Sequence, residues 1–169
     1  FDKCGKTMGL DYPAGPEIDK LASKGNPYAF IFPVPKVKNF DVSYSGVKTA
    51  FLNFINYKIS QNENFIKNNL YDLCASIQKT LVEIIIQKIE KAKKSLKINC
   101  IVIGGGVAAN SEIRRVLKEK SVSDKWEVFL PSVQYTTDNA AMIGIVGYFK
   151  LKSNQLGEMN QSVNPRLIL

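Results

Sequence analysis

The strongest constraint on this chain is a short apolar run that ends in three consecutive glycines: Ile101-Val-Ile-Gly104-Gly105-Gly106-Val-Ala-Ala-Asn110. Ile98–Ile103 predicts a buried strand and Val107–Lys120 a helix. The order then repeats, with a strand at Trp126–Leu130 and a helix at Thr137–Lys150. Strand, loop and helix twice in succession imply a parallel strand pair with a right-handed crossover, hence an α/β fold. Glycines at the carboxyl end of a strand let backbone approach a ligand closely, and the following helix start offers N–H groups to a phosphate. Ligands of open α/β sheets sit at this edge. The loop is neither Gly-x-Gly-x-x-Gly, because position 109 is Ala, nor a P-loop, because no Lys follows at the right spacing. A tight turn with glycines for packing accounts for the same residues.

About thirty residues on, Thr136-Thr137-Asp138-Asn139 precedes Ala140-Ala-Met142. Thr136 or Thr137 suits the N-cap, which puts Asp138 in a first turn where the helix dipole favours a carboxylate. The same carboxylate beside the glycine loop suits a metal that bridges phosphates. Asn110 falls a few residues into the first helix, where Asn needs a reason to be. It is either an exposed polar residue or a hydrogen-bond partner for a ligand's ribose or acyl group. Gly46-Val-Lys48-Thr49 has only the end of a Walker sequence, so Lys48 is read as a solvated lysine at a helix start, with an anion contact as the alternative.

Upstream, Gly9–Gly15 is rich in turn residues. Pro16 suits a first helical position with Glu17 and Asp19 behind it, and Gly25 and Pro27 end that helix. Phe30-Ile-Phe-Pro33 reads as a short strand, and Phe40, Val42 and Tyr44 alternate with polar residues as a half-buried strand would. Val47, Ala50, Phe51, Phe54 and Ile55 then recur at helical spacing. A longer helix follows, with Leu70, Leu73, Ile77, Leu81, Ile84, Ile85 and Ile89 on one face and Lys91, Lys93 and Lys94 at its end. That lysine cluster reads as a solvated helix end. The tail 154–169 looks irregular.

The chain has 169 residues, so it is one domain or one lobe of a two-lobed protein. No apolar run approaches the roughly 18 residues that a membrane span needs. Opening on Phe1-Asp2-Lys3, the chain is expected to be a fragment with functional residues upstream. Cys4, Cys74 and Cys100 are expected to be small buried side chains of a reducing compartment. The formal charge of +8 suits nucleic acid or an anionic ligand. Equally, it follows from a composition rich in Lys, Asn and Ile, with only three arginines.

Taken in order, Phe1-Asp2-Lys3, Gly9-Leu-Asp-Tyr-Pro-Ala-Gly15-Pro16, Asp41-Val-Ser-Tyr-Ser-Gly46-Val-Lys-Thr49, Gly104–Asn110 and Thr137-Asp138-Asn139, with Pro165-Arg166 in the tail, resemble the TsaD family of tRNA adenosine threonylcarbamoyltransferases. The likeness covers nearly the whole chain. It implies the actin-like, sugar-kinase and Hsp70 ATPase fold, in which two RNase H-like lobes flank a nucleotide cleft. This chain looks like the C-terminal lobe, 1–169. Residues 1–97 would be a mostly helical inserted subregion with strands near 30–45, residues 98–152 a β-α-β-α nucleotide-binding core, and 153–169 a tail.

By this resemblance Asp2, Gly15 and Asn110 contact ATP or the adenylate substrate, Asp19 is a further contact, and Gly104, Gly105 and Gly106 form the phosphate loop. Asp138 would be the one ligand that this half gives a divalent metal, iron or zinc. The family's other two ligands are histidines of an upstream His-x-x-x-His helix, and this chain contains no histidine. Ala14 and Ala140 stand where the family usually has Gly. The implied chemistry is transfer of threonylcarbamoyl from its AMP anhydride to the adenosine beside the anticodon of tRNA. TsaB-like and TsaE-like proteins would be partners, the location cytoplasmic, no cofactor tightly held, and the fragment inactive alone. The alternatives are an ATPase or sugar kinase of the same superfold, or a non-catalytic partner paralogue.

Overall fold

The computed structural model describes residues 1–158 together with Asn160 and Ser162. Pro165 and Arg166 of the resemblance lie outside the described residues, as does most of the expected irregular tail. In chain order the elements are α1 (Asp2–Met8), α2 (Ala14–Ala22), α3 (Ser45–Gln61), α4 (Phe65–Leu96), β1 (Cys100–Val102), α5 (Ser111–Ser123), β2 (Glu127–Phe129) and α6 (Ala140–Lys152). Two 3₁₀ turns lie at Gly106–Ala109 and Val133–Tyr135. The molecule is α-rich with a small parallel sheet. No helix among the described residues is long and apolar enough to cross a membrane.

β1 and β2 pair in parallel, Ile101 opposite Val128, with α5 as the crossover. This is the strand pair expected from the two strand–loop–helix units. The middle residues Ile101 and Val128 pack with α5 and α4 around Val82, Ile86, Ile113, Leu117 and Trp126. Alternate strand residues point the other way, so Val102 and Phe129 are exposed.

The larger core belongs to α1–α4. Ile18, Phe51, Ile55, Leu73 and Ile77 are wholly buried in it. Val47, Phe51 and Ile55 form one stripe of α3, as their spacing requires. Helix α4 has 32 residues and kinks at Asn69, whose side-chain amide donates to the Phe65 carbonyl at 2.8 Å and leaves the helical geometry. Helices α1 and α2 meet where Gly5 faces Ala14. A Cβ added at Gly5 would fall 2.2 Å from the Ala14 Cβ, so the small residue at 5 accommodates Ala at 14.

The two strands expected between residues 30 and 45 are absent. Among the described residues no neighbouring strand completes their ladder, and backbone groups between residues 26 and 39 bond to side chains of α4 instead. The Phe30 N–H donates to Ser76 Oγ at 3.1 Å, and the Asn26 N–H to Asp72 at 2.7 Å. Lys88 Nζ donates to the carbonyls of Val37 and Asn39, and Lys91 Nζ to that of Asn39. Phe30 and Phe32 are anchors rather than strand residues, each within 5.4 Å of the Phe54 ring centroid.

Three smaller expectations also change. Helix α2 starts at Ala14, so Pro16 lies within its first turn and not at its first position. No intrahelical N–H bond is made in a first turn, so proline, which has no N–H to give, is still tolerated. Cys4 and Cys74 are buried, but Cys100 is exposed on β1. The helix expected from Val107 starts at Ser111, because the residues before it form a 3₁₀ turn.

Candidate functional site

The glycine loop leaves β1 at its carboxyl end. Gly105 sits at φ +85°, a left-handed conformation that suits glycine. A Cβ built at Gly104 or Gly105 meets nothing within 4 Å, so packing among the described residues does not require glycine there. The backbone N–H groups of Gly104, Gly105, Gly106 and Val107 have no partner among the described residues.

The start of α5 is different from the sequence expectation. Asn110 is its N-cap, not a residue inside a helix: its Oδ1 accepts from the Ile113 N–H at 3.0 Å. This is the reason for an asparagine at this point. Its amide also donates to Gln78 Oε1 of α4 at 2.9 Å, and the pair is buried. Asp19 of α2 accepts from the Ser111 N–H at 2.9 Å and from Ser111 Oγ at 2.7 Å. The N–H groups of Ser111 and Ile113 at the start of α5 are therefore satisfied by side chains of the chain itself, whereas those of the glycine loop are free among the described residues. Asp2 does the same for α2, accepting from the N–H groups of Ala14 at 2.9 Å and Gly15 at 3.3 Å. In both cases a carboxylate complements the positive end of another helix.

These elements enclose a cleft of about 530 Å³, lined by Phe1, Asp2, Pro13, Gly15, Pro16, Asp19, Gly106, Val107, Ala109 and Asn110. Asp2, Gly15, Asp19, Gly106 and Asn110, singled out from the sequence, thus share one cavity. Gly104 and Gly105 flank it, exposed. Asp138 does not line it. Asn139, not Thr136 or Thr137, caps α6, accepting from the Met142 N–H at 2.9 Å, so Asp138 precedes the helix rather than lying in its first turn. The turn does reach the loop: a Cβ on Gly106 would meet Thr137 Cγ2 at 3.9 Å.

Two cleft-building residues were not singled out from the sequence. Gln78 orients Asn110 from α4. Arg114 donates to the Ala108 carbonyl and to the Pro131 carbonyl, both at 2.9 Å, which ties the glycine loop to the segment leading to Asp138. An arginine one turn into the helix after a glycine loop was the available signal. Among the described residues no three His, Cys, Asp or Glu side chains cluster as a metal site would require.

A parallel βαβ unit with a glycine loop and a crevice at the strand ends defines an α/β protein of the ligand-cleft kind. The profile of the family described as TsaD, tRNA N6-adenosine threonylcarbamoyltransferase, matches residues 1–145. The chain belongs to this family. It is 44% identical over 166 residues to the tRNA N6-adenosine threonylcarbamoyltransferase of Riemerella anatipestifer, covering 98% of this chain and 49% of the relative. The protein of the same name from Christiangramia forsetii is 46% identical over the same shares, and that of Phocaeicola vulgatus 42% identical over 100% of this chain and 50% of the relative. The chain thus spans about half the length of the curated relatives it matches.

Proposed function

We propose that this chain supplies the donor-nucleotide half of a tRNA N6-adenosine threonylcarbamoyltransferase, as one RNase H-like lobe of the actin-like fold. The observation that carries the reading is the cleft that gathers Asp2, Gly15, Asp19, Gly106 and Asn110 under a loop of unpaired N–H groups. The loop N–H groups suit the adenylate phosphate, which α5, already capped, has no need to hold. The carboxylates of Asp2 and Asp19 accept hydrogen bonds only, so they suit ribose hydroxyls.

In the transfer, the N6 amine of the acceptor adenosine forms a bond to the carbamoyl carbon. The bond from that carbon to the AMP oxygen breaks, AMP leaves with the electron pair, and the amine proton passes to solvent. This chain's part is to bind and orient the adenylate, which supplies effective concentration. Asp138 is a hard-oxygen donor suited to iron or zinc. The described residues do not enclose a metal by themselves, so no step here runs through one. The acceptor is tRNA, TsaB-like and TsaE-like proteins are the partners, and the cytoplasm is the location. With half the cleft in hand, the chain alone transfers nothing.

The test is a titration of the chain with AMP, followed by backbone amide NMR. Shifts concentrated at Gly104–Val107 and Gly15 are expected, and Gly105→Val should weaken the response at least about ten-fold because a branched side chain strains φ +85°. Shifts located elsewhere, or an unchanged response in a folded Gly105→Val protein, would leave the loop a mere turn.

A further inference from the structure

A second depression opens beside the donor cleft, and the two share Phe1 and Val107 as a common wall. It measures about 320 Å³, near the lower end for pockets that hold a small ligand. Its floor is apolar, made by Val47, Leu81 and Ile85. Its rim is not. Tyr44, just before α3, is half-exposed, and no other aromatic ring pairs with it among the described residues. Lys3 and Lys48 lie at the same rim, both exposed. Among the described residues neither ammonium has an ion-pair or hydrogen-bond partner.

An apolar floor, a free aromatic face and two unpaired cations match one ligand chemistry better than others. An unstacked nucleobase lays its face on a tyrosine while its flanking phosphates meet lysines. A simple anion would leave the floor unmatched, and an apolar peptide would leave the lysines unmatched.

We infer that this depression seats the acceptor base, a single adenine turned out of its strand with its backbone phosphates along Lys3 and Lys48. The inference rests on the reading of the first cleft as the donor's seat. The shared wall then sets acceptor and donor side by side, which is what attack of a base amine on the carbamoyl carbon requires. Tyr44 is a binding residue for the base, and Lys48 for the strand.

The test uses the full chain and an RNA hairpin with a loop of uridines around one adenosine, with a twin hairpin that is abasic at that position. Binding is read by fluorescence anisotropy. Removing the base should cost about ten-fold in the parent protein, within the range for stacking on an aromatic ring. Tyr44→Ala should cost about the same on the intact hairpin and nothing more on the abasic one, because the two changes delete one contact. Tyr44→Phe should behave as the parent, which separates loss of stacking from loss of fold. Lys48→Glu should weaken both hairpins alike and reduce the salt dependence. Independent, additive losses from Tyr44→Ala and base removal, or no preference for the intact hairpin, would overturn the inference. The AMP titration runs on the same samples. Loss of the AMP response with base discrimination intact would sink the donor reading alone, and the reverse outcome would sink the base seat alone.

Discussion

Helices α1–α4 close around a core in which Ile18, Phe51, Ile55, Leu73 and Ile77 are fully buried, whereas α6, almost wholly apolar, buries no residue. The helices of the first region turn an apolar stripe inward and a polar back outward, so their mutual packing covers what they need covered. Helix α6 has Met142, Ile143, Ile145, Val146, Tyr148 and Phe149 around its whole circumference, all exposed. A helix apolar on every side is one suited to being covered on every side. The outer faces of β1 and β2, with Val102 and Phe129, present the same character. The helical region is therefore self-sufficient in packing, and the βα region carries more apolar surface than the described residues cover.

The largest effect expected from this contrast is on stability. Phe51→Ala empties a fully buried aromatic position and should cost about 3–5 kcal/mol. Phe149→Ala, an equal change of side chain on α6, should shift stability by no more than about 0.5 kcal/mol and should reduce self-association of the chain. Chemical denaturation of the two variants side by side decides it. Equal losses would break the comparison.

The next effect lies at the join between the regions. Asn110→Ala removes the cap of α5 and leaves Gln78 unpaired in a buried position, for a loss of about 2 kcal/mol. Asn110→Asp keeps the capping oxygen and should lose less, as read from the same denaturation curves. A third effect tests close packing. Gly5→Ala forces a methyl against Ala14 and should cost about 1–3 kcal/mol. The double change Gly5→Ala with Ala14→Gly should recover most of that loss.

The smallest effect is one of pH. Burial, with the nearby charge of Glu17 adding to it, pushes the Cys74 thiol from 9.0 up to about 12. The folded state keeps a proton that the unfolded chain releases. This contribution to stability is whole below pH 9 and is lost as pH rises from 9 toward 12. Cys74→Ala should flatten the alkaline fall in melting temperature across that window. Below it, iodoacetamide should label exposed Cys100 on the native chain and leave Cys4 and Cys74 untouched until unfolding.

Much of this was legible in the sequence, and the misses have physical causes. Helical spacing located α3, α4 and α5, and the two strand–loop–helix units located the parallel pair. Phe40, Val42 and Tyr44 have the period of a strand, but a period names no partner, and none is there among the described residues. The starts of α5 and α6 were misread because Asn110 and Asn139 act as caps by geometry that spacing alone does not reveal. The double use of Asp2 and Asp19 was hidden for another reason. Their backbone partners lie 12 and 92 residues away along the chain, and only the fold brings them together.

Helix α4 has a consequence for how the molecule comes apart. At about 1.5 Å per residue its 32 residues run close to 50 Å. Leu81 and Ile84 belong to the helical core, while Val82 and Ile86, on the adjoining face, belong to the core beneath the sheet. The same helix carries Gln78 to the cap of α5. Neither core can melt fully while the other retains this helix in place, so the two open as one cooperative unit. Amide exchange along residues 73–86 should then be the slowest in the chain and governed by global unfolding, with α6 exchanging through fraying of its own. The rod common to both cores makes a two-part architecture behave, thermodynamically, as one.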